Sequence, residues 1–281
     1  MASTDRFGGI AAEKDGGLHD LIVGCPWRLM LSATTILRAM ILTAHQPVYL
    51  PWLGLFHKIA LADVFVSLDD VQYLKDDWNN RNRIKTPAGP IWLTVPVLRK
   101  GYLDRPIHTI EINNVRSARD QRAPGWWRRK HWQLLSQHYG KAPYFDDYAD
   151  FFEDLYAREW QYLAEINEHM LRWFLATLKI EARFMKASDL HFEGAKSARV
   201  LDMCRKLAAD TYIFGALGRD YADVSTFEAA GVRVLFQDYK HPTYRQLHGN
   251  FVSHLSIVDL LFNCGPDSRE ILLSGQDPIR V

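Results

Sequence analysis

Apolar residues recur along the chain with two periods, and the alternation between them is its main structural signal. Short apolar runs stand at residues 41–44, 64–68, 91–97, 182–186, 211–214 and 232–236, and read as strands because they are too brief for helices. Between them lie windows with helical spacing. Residues 51–61 carry Trp52, Leu55, Phe56 and Ile59 on one face, and 197–208 carry Val200, Leu201, Cys204 and Leu207. Another helix covers 255–263 and is closed by Gly265, and a further one ends at 227–230 before Gly231, since glycine readily adopts the left-handed cap. The longest helical region, 144–178, shifts phase near Arg158 and therefore predicts two helices. Residues 125–139 are basic and aromatic at helical spacing. The segment 78–85 is polar and reads as a loop or short helix. Residues 108–112 alternate and are expected to pair with 91–97, which Pro96 marks as an edge or terminating strand. Strands alternating with helices argue an α/β fold, a largely parallel sheet flanked by helices, with a helical mid-section.

Composition narrows the class. The chain has 281 residues, a hydrophobic fraction of 48% and nine Trp, enough for one large domain or two modest ones with a substantial core. A formal net charge of +1 argues against bulk nucleic-acid binding and a polybasic membrane anchor. Cys25, Cys204 and Cys264 form neither a metal spacing nor a disulfide framework, so a reducing cytoplasm is expected. No apolar run approaches the ~20 residues of a membrane span. Residues 1–39 show no period and no clear signal-peptide pattern, and read as a disordered or mis-called extension. The remainder, 40–281, is expected to be one α/β domain, divisible into halves 40–140 and 180–281 joined by the helices of 144–178.

The stretch Ala44-His45-Gln46-Pro47-Val48-Tyr49-Leu50-Pro51-Trp52 runs from a strand through a polar loop into a helix. That layout is the usual seat of a site in α/β proteins, because ligands bind beyond the carboxyl ends of strands. Its two prolines stiffen the loop. His45, just past the strand, is the leading candidate for a general base or a phosphate contact; the competing role is pinning the loop to backbone. Asp69 and Asp70 follow the next strand. There they can position an acceptor, bind a metal or act as a base, or simply cap a turn. Since a helix joins the two strands, they should be parallel, so His45 and Asp69 should share a sheet edge and a cleft, and the imidazole should titrate above its usual range.

Asn80-Arg81-Asn82-Arg83 is dense in donors suited to phosphate, carboxylate or sugar, and Trp78 beside it offers a stacking face. Gly215 and Gly218 follow a strand and permit close approach of backbone N–H groups to an anion, or serve only a tight turn. Asp259 sits in an apolar helix and either caps or orients a basic partner. The Trp126-Trp127-Arg128-Arg129-Lys130 cluster suits a glycan or nucleic acid, or is an amphipathic helix with snorkelling stems. No metal tetrad, no Gly-x-Ser-x-Gly and no complete dinucleotide fingerprint is present, and the sequence leaves the cofactor open.

The His45 stretch, together with Ala62-Asp63-Val64-Phe65-Val66-Ser67-Leu68-Asp69-Asp70-Val71-Gln72, Asn79-Asn80-Arg81-Asn82-Arg83-Ile84-Lys85-Thr86, Trp92-Leu93-Thr94-Val95-Pro96-Val97 and Leu255-Ser256-Ile257-Val258-Asp259-Leu260-Leu261-Phe262-Asn263, resembles the WbqC-like protein family from about Met40 to the carboxyl end. The resemblance implies a role in bacterial surface-polysaccharide synthesis of the O-antigen kind. It also brings Gln46, Trp52, Lys58, Gln72, Tyr244 and Gln246 into the expected binding set, and Phe214 departs from the small polar residue usual beside Gly215. The expected function is a transferase moving an acyl, aminoacyl or nucleotidyl group from a small activated donor onto a sugar or amine acceptor. The alternative is a non-catalytic module that binds a nucleotide sugar or aminoacyl ligand. A chain beginning at Met40 should melt within about 2 °C of the full-length protein by differential scanning calorimetry.

Overall fold

The computed structural model describes residues 39–98, 100–102, 104–115, 125–274 and 279–280. The expectation for residues 1–39 lies, except for Ala39, outside them, as does Cys25.

In chain order the elements are β1 (Ile41–His45), α1 (Leu53–Ala60), β2 (Val64–Ser67), β3 (Arg81–Thr86), β4 (Gly89–Thr94), α2 (Trp126–Tyr139), α3 (Phe145–Ala157), α4 (Leu163–Thr177), β5 (Arg183–Lys186), α5 (Lys196–Lys206), β6 (Thr211–Phe214), α6 (Val224–Ala229), β7 (Arg233–Phe236), α7 (Ile257–Cys264), α8 (Ser268–Leu273) and β8 (Ile279–Arg280). Five strands run parallel in the order β5-β2-β1-β6-β7, with β8 antiparallel beyond β7. This is the expected α/β architecture, with α2, α3 and α4 as its helical middle. The break near Arg158 separates α3 from α4.

The strands are apolar on both sides because the sheet is covered on both. Leu42, Ala44, Val64 and Val66 face a cluster completed by Val200, Met203 and Cys204 of α5 and Phe227 of α6. Phe65 faces the larger cluster, with Phe56 and Ile59 of α1, Phe152, Phe174, and Val258 and Leu261 of α7.

One expectation is corrected and another narrowed. Residues 81–86 form a strand, not a loop or helix: β3 pairs antiparallel with β4 through a turn at residues 87–88 that leads into Gly89, whose φ of 108° suits glycine. Asn82 and Ile84 point inward, while Arg81 and Arg83 point outward. Asn82 is fully buried, its Nδ2 donating to Leu50 O at 2.5 Å, so a polar residue occupies a core position and conceals the alternation from hydropathy alone. The pairing of 108–112 with 91–97 holds at one antiparallel bridge, Val97 with Ile112, and not along the whole stretch, because Ile107–Thr109 is a 3₁₀ turn.

Asp259 on α7 is fully buried. It accepts hydrogen bonds from Tyr139 (2.8 Å), Tyr244 (2.9 Å) and Gln246 Nε2 (2.7 Å). Gln246 Oε1 in turn accepts from Lys85 Nζ at 2.6 Å, so the expected basic partner of Asp259 is reached through an amide. Desolvation raises the Asp259 pKa, while the donors and Lys85 oppose the rise. Replacing the carboxylate leaves several buried donors unanswered, each costing about 1–3 kcal/mol. Asp259→Ala should therefore lose at least about 3 kcal/mol, read as a fall in the urea midpoint.

Candidate functional site

β1 is the strand from which the sheet is built in both directions. β2 and β5 extend it one way, β6 and β7 the other. The strand order therefore reverses between β1 and β6, the position at which open α/β sheets bind their ligands. His45 closes β1 at this point and Gly215 follows β6.

From below, α1 delivers Lys58 in its last turn. Its Nζ donates to Ala44 O at 2.9 Å, and a Cβ placed on Gly215 would stand 3.9 Å away. Lys58 is 4% exposed, and among the described residues no carboxylate pairs with it. Burial without an ion pair brings its pKa down to about 8. His45 lies alongside. Its Nδ1 meets Gln46 O at 2.8 Å, and since a carbonyl only accepts, the proton sits on Nδ1 and Nε2 keeps the lone pair. The side chain retains some solvent exposure, yet dense packing and the Lys58 cation hold its pKa down, to about 3. The expected rise is thus reversed: burial disfavours the charged imidazole, and the near charge is an ammonium rather than a carboxylate.

A row of rings leads outward from His45. Trp52 meets the imidazole edge-on with centroids 5.2 Å apart, Trp78 lies 6.4 Å from Trp52, and Trp92 lies 5.4 Å from Trp78. The Arg81 and Arg83 guanidinium groups stand over Trp92 at 4.6 and 5.7 Å. Trp78 and Trp92 are 36% and 47% exposed, so the row ends in an open aromatic surface. Gln46 and Asn79 tie the two segments together through Oε1 and Nδ2 at 3.3 Å.

Asp69 and Asp70 follow β2 on the same sheet edge, since His45 registers with Ser67. Their carboxylates are engaged elsewhere. Asp69 accepts from Ser188 N at 2.9 Å and Ser188 Oγ at 2.7 Å, binding the end of β2 to the turn after β5, and Asp70 pairs with Arg199 of α5. The geometry assembles His45, Gln46, Trp52, Lys58 and Gly215, with Arg81 and Arg83 at the end of the ring row. Asn80 and Asn82 serve β3 internally, bonding Val95 O and Leu50 O. Gln72 is exposed and meets Asp104, and Gly218 packs beneath Phe214. Tyr244 and Gln246 join the Asp259 network. Among the described residues no His, Cys, Asp and Glu group is arranged to hold a metal.

Sequence reading missed Gln237, the residue after β7. Its amide donates to Gly54 O at 2.8 Å and meets His57 Nδ1 at 3.0 Å, tying the end of β7 to α1 beneath the β1 edge. The available signal was its position, one residue past an apolar run, as with His45.

Residues 46–271 match the family model described as the WbqC-like protein family. The chain is similar to an uncharacterized protein of Mycobacterium tuberculosis, 35% identical over 229 residues, which cover 81% of this chain and 95% of the relative. No solved structure matches.

Lys58 binds its proton less tightly folded than unfolded. Between about 8 and 10.5 the unfolded chain holds more protons, so this group makes stability rise with pH across that window. Lys58→Met should abolish the rise and stabilise the fold at pH 7 by about 3 kcal/mol, with urea midpoints at pH 7 and pH 10 as the check. In the same variant the His45 imidazole should titrate higher by NMR, having lost the neighbouring cation.

Proposed function

Because this chain belongs to the WbqC-like protein family, we propose that it is a cytoplasmic transferase of bacterial surface-polysaccharide assembly, passing an acyl, aminoacyl or nucleotidyl group from an activated donor to an amino-sugar-type acceptor. One observation carries the reading: a buried ammonium with no carboxylate beside it among the described residues stands next to a neutral imidazole at the point where the strand order reverses. A buried cation met by a backbone carbonyl but by no opposite charge among the described residues favours an anion, and here that anion is the phosphate or carboxylate of the donor. Its arrival offsets the Lys58 charge and raises the basicity of His45 Nε2.

In the transfer step the acceptor nitrogen or oxygen attacks the donor's electrophilic centre. Its proton passes to His45 Nε2, and the leaving group departs with the bonding electron pair and is stabilised by Lys58. The Trp52, Trp78 and Trp92 row, with Arg81 and Arg83, suits the remote part of the donor, whose binding positions the reacting centre. Asp69 and Asp70 hold the β2 edge in place through Ser188 and Arg199 rather than meeting the acceptor.

Mass spectrometry tests the proposal directly. Nucleoside-diphosphate sugars, acyl thioesters and aminoacyl adenylates are each incubated with hexosamines, and one pairing should give the transferred product. His45→Asn and Lys58→Met should each slow that transfer by about 100-fold or more. Saturable donor binding without any product would instead favour the binding-module reading, and turnover undiminished in both variants would remove the β1 edge from the chemistry.

A further inference from the structure

The aromatic row that leaves His45 ends in two rings that stay open to solvent. Trp78 and Trp92 stand 5.4 Å apart with their planes tilted by 43°, so neither ring covers the other's face. Trp92 keeps 47% of its surface exposed even with the Arg81 and Arg83 guanidinium groups over it at 4.6 and 5.7 Å. Both rings have stiff supports. Trp92 belongs to β4, and the Trp78 carbonyl accepts from Tyr49 N at 3.2 Å, which ties it to the loop after β1. Two large rings exposed side by side are unfavourable in water, and a flat ligand that covers them recovers the loss.

The polar groups beside the rings select the ligand. Arg81 is held by the Asp76 carboxylate at 3.3 Å. Among the described residues no carboxylate pairs with Arg83, whose outer nitrogen meets the His254 carbonyl at a long 3.4 Å. The groups that would match sugar hydroxyls are committed within the protein. Asn79, Asn80 and Asn82 donate to the carbonyls of Pro47, Val95 and Leu50, and Asp77 accepts from the Trp78 N–H at 2.7 Å. An acyl chain would cover the rings but bring no negative charge to the cations. A nucleotide answers both: its base offers a π-face to Trp78, Trp92 and the Arg83 guanidinium, and its phosphate is an anion. We infer that the donor is nucleotide-activated, with its base stacked on Trp78 and Trp92 and its phosphates running back along the row towards Lys58. The word donor and the place of the phosphates rest on the function proposed above, while the stacking rests on the ring surface alone.

The full chain is titrated by calorimetry with AMP, GMP and UMP, with their nucleosides, with inorganic phosphate and with methyl glucoside. At least one mononucleotide should bind saturably. Trp78→Ala and Trp92→Ala should each weaken nucleotide and nucleoside alike by about tenfold, the size of one lost base-stacking contact. Trp92→Phe keeps a ring and should retain most of the affinity. Both rings are exposed, so the melting temperature should stay near that of the parent, which separates loss of binding from loss of fold. Lys58→Met should erase the advantage of the nucleotide over its nucleoside while nucleoside binding persists. Ring-dependent nucleotide binding without any transferred product counts against the transferase and upholds this inference; phosphate binding lost in Lys58→Met, with no nucleotide bound, does the reverse. No saturable nucleotide binding, ring variants that bind as the parent does, or methyl glucoside held in preference to every nucleotide would overturn it.

Discussion

Lys58 concentrates the physical tension of this fold. Its ammonium is carried by α1 into a nearly dry position under the end of β1, where a single backbone carbonyl at 2.9 Å receives it. That placement is unfavourable for a charge, and the surroundings are arranged about it. α1 presents the lysine from its carboxyl-terminal turn, where the helix dipole favours a cation. Gly215 stands beside Nζ, where a Cβ would come into contact with it at 3.9 Å, and the imidazole of His45 stays neutral next to it. β1, paired on both sides, holds the receiving carbonyl rigidly. Ionisable groups perturbed in this way cluster at functional sites, though structural networks perturb them too.

Much of the architecture was legible because burial on both faces of a parallel sheet leaves an apolar run in the sequence. β1, β2, β6 and β7 all stand within a residue or so of the runs that predict them. Tertiary partners were not legible. The parallel placement of β1 and β2 puts His45 and Asp69 on one edge, as strand–helix–strand reasoning requires. Nothing near Asp69 in sequence, however, announces that Ser188, 119 residues later, takes both of its oxygens, or that Arg199 takes Asp70. A carboxylate pair that looks free in sequence is thereby committed to joining β2, β5 and α5.

β3 shows the opposite failure. Its inward position at Asn82 carries an amide rather than an aliphatic side chain, because the loop ending at Leu50 has a carbonyl there that needs a donor. The alternation is real, but it is one of hydrogen-bonding demand and not of hydropathy. The same substitution of polar for apolar burial recurs at Asn167, whose Nδ2 donates to Asn79 O at 2.8 Å, and at Thr43, which bonds Ile213 O at 2.8 Å. These residues lock segments distant in sequence into one register, which is why pattern reading finds the strands more easily than their neighbours.

β2 and β5 are adjacent strands, with Ser67 beside Lys186, yet the chain between them contains the β3–β4 ribbon and all of α2, α3 and α4. The whole excursion starts and finishes at neighbouring strands. Its length and its outward surface can therefore change without altering the order of the sheet or the seat of Lys58. The β3–β4 ribbon and the helical middle are thus a detour from the sheet, and the strand order around Lys58 is set by β1, β2, β5, β6 and β7 alone.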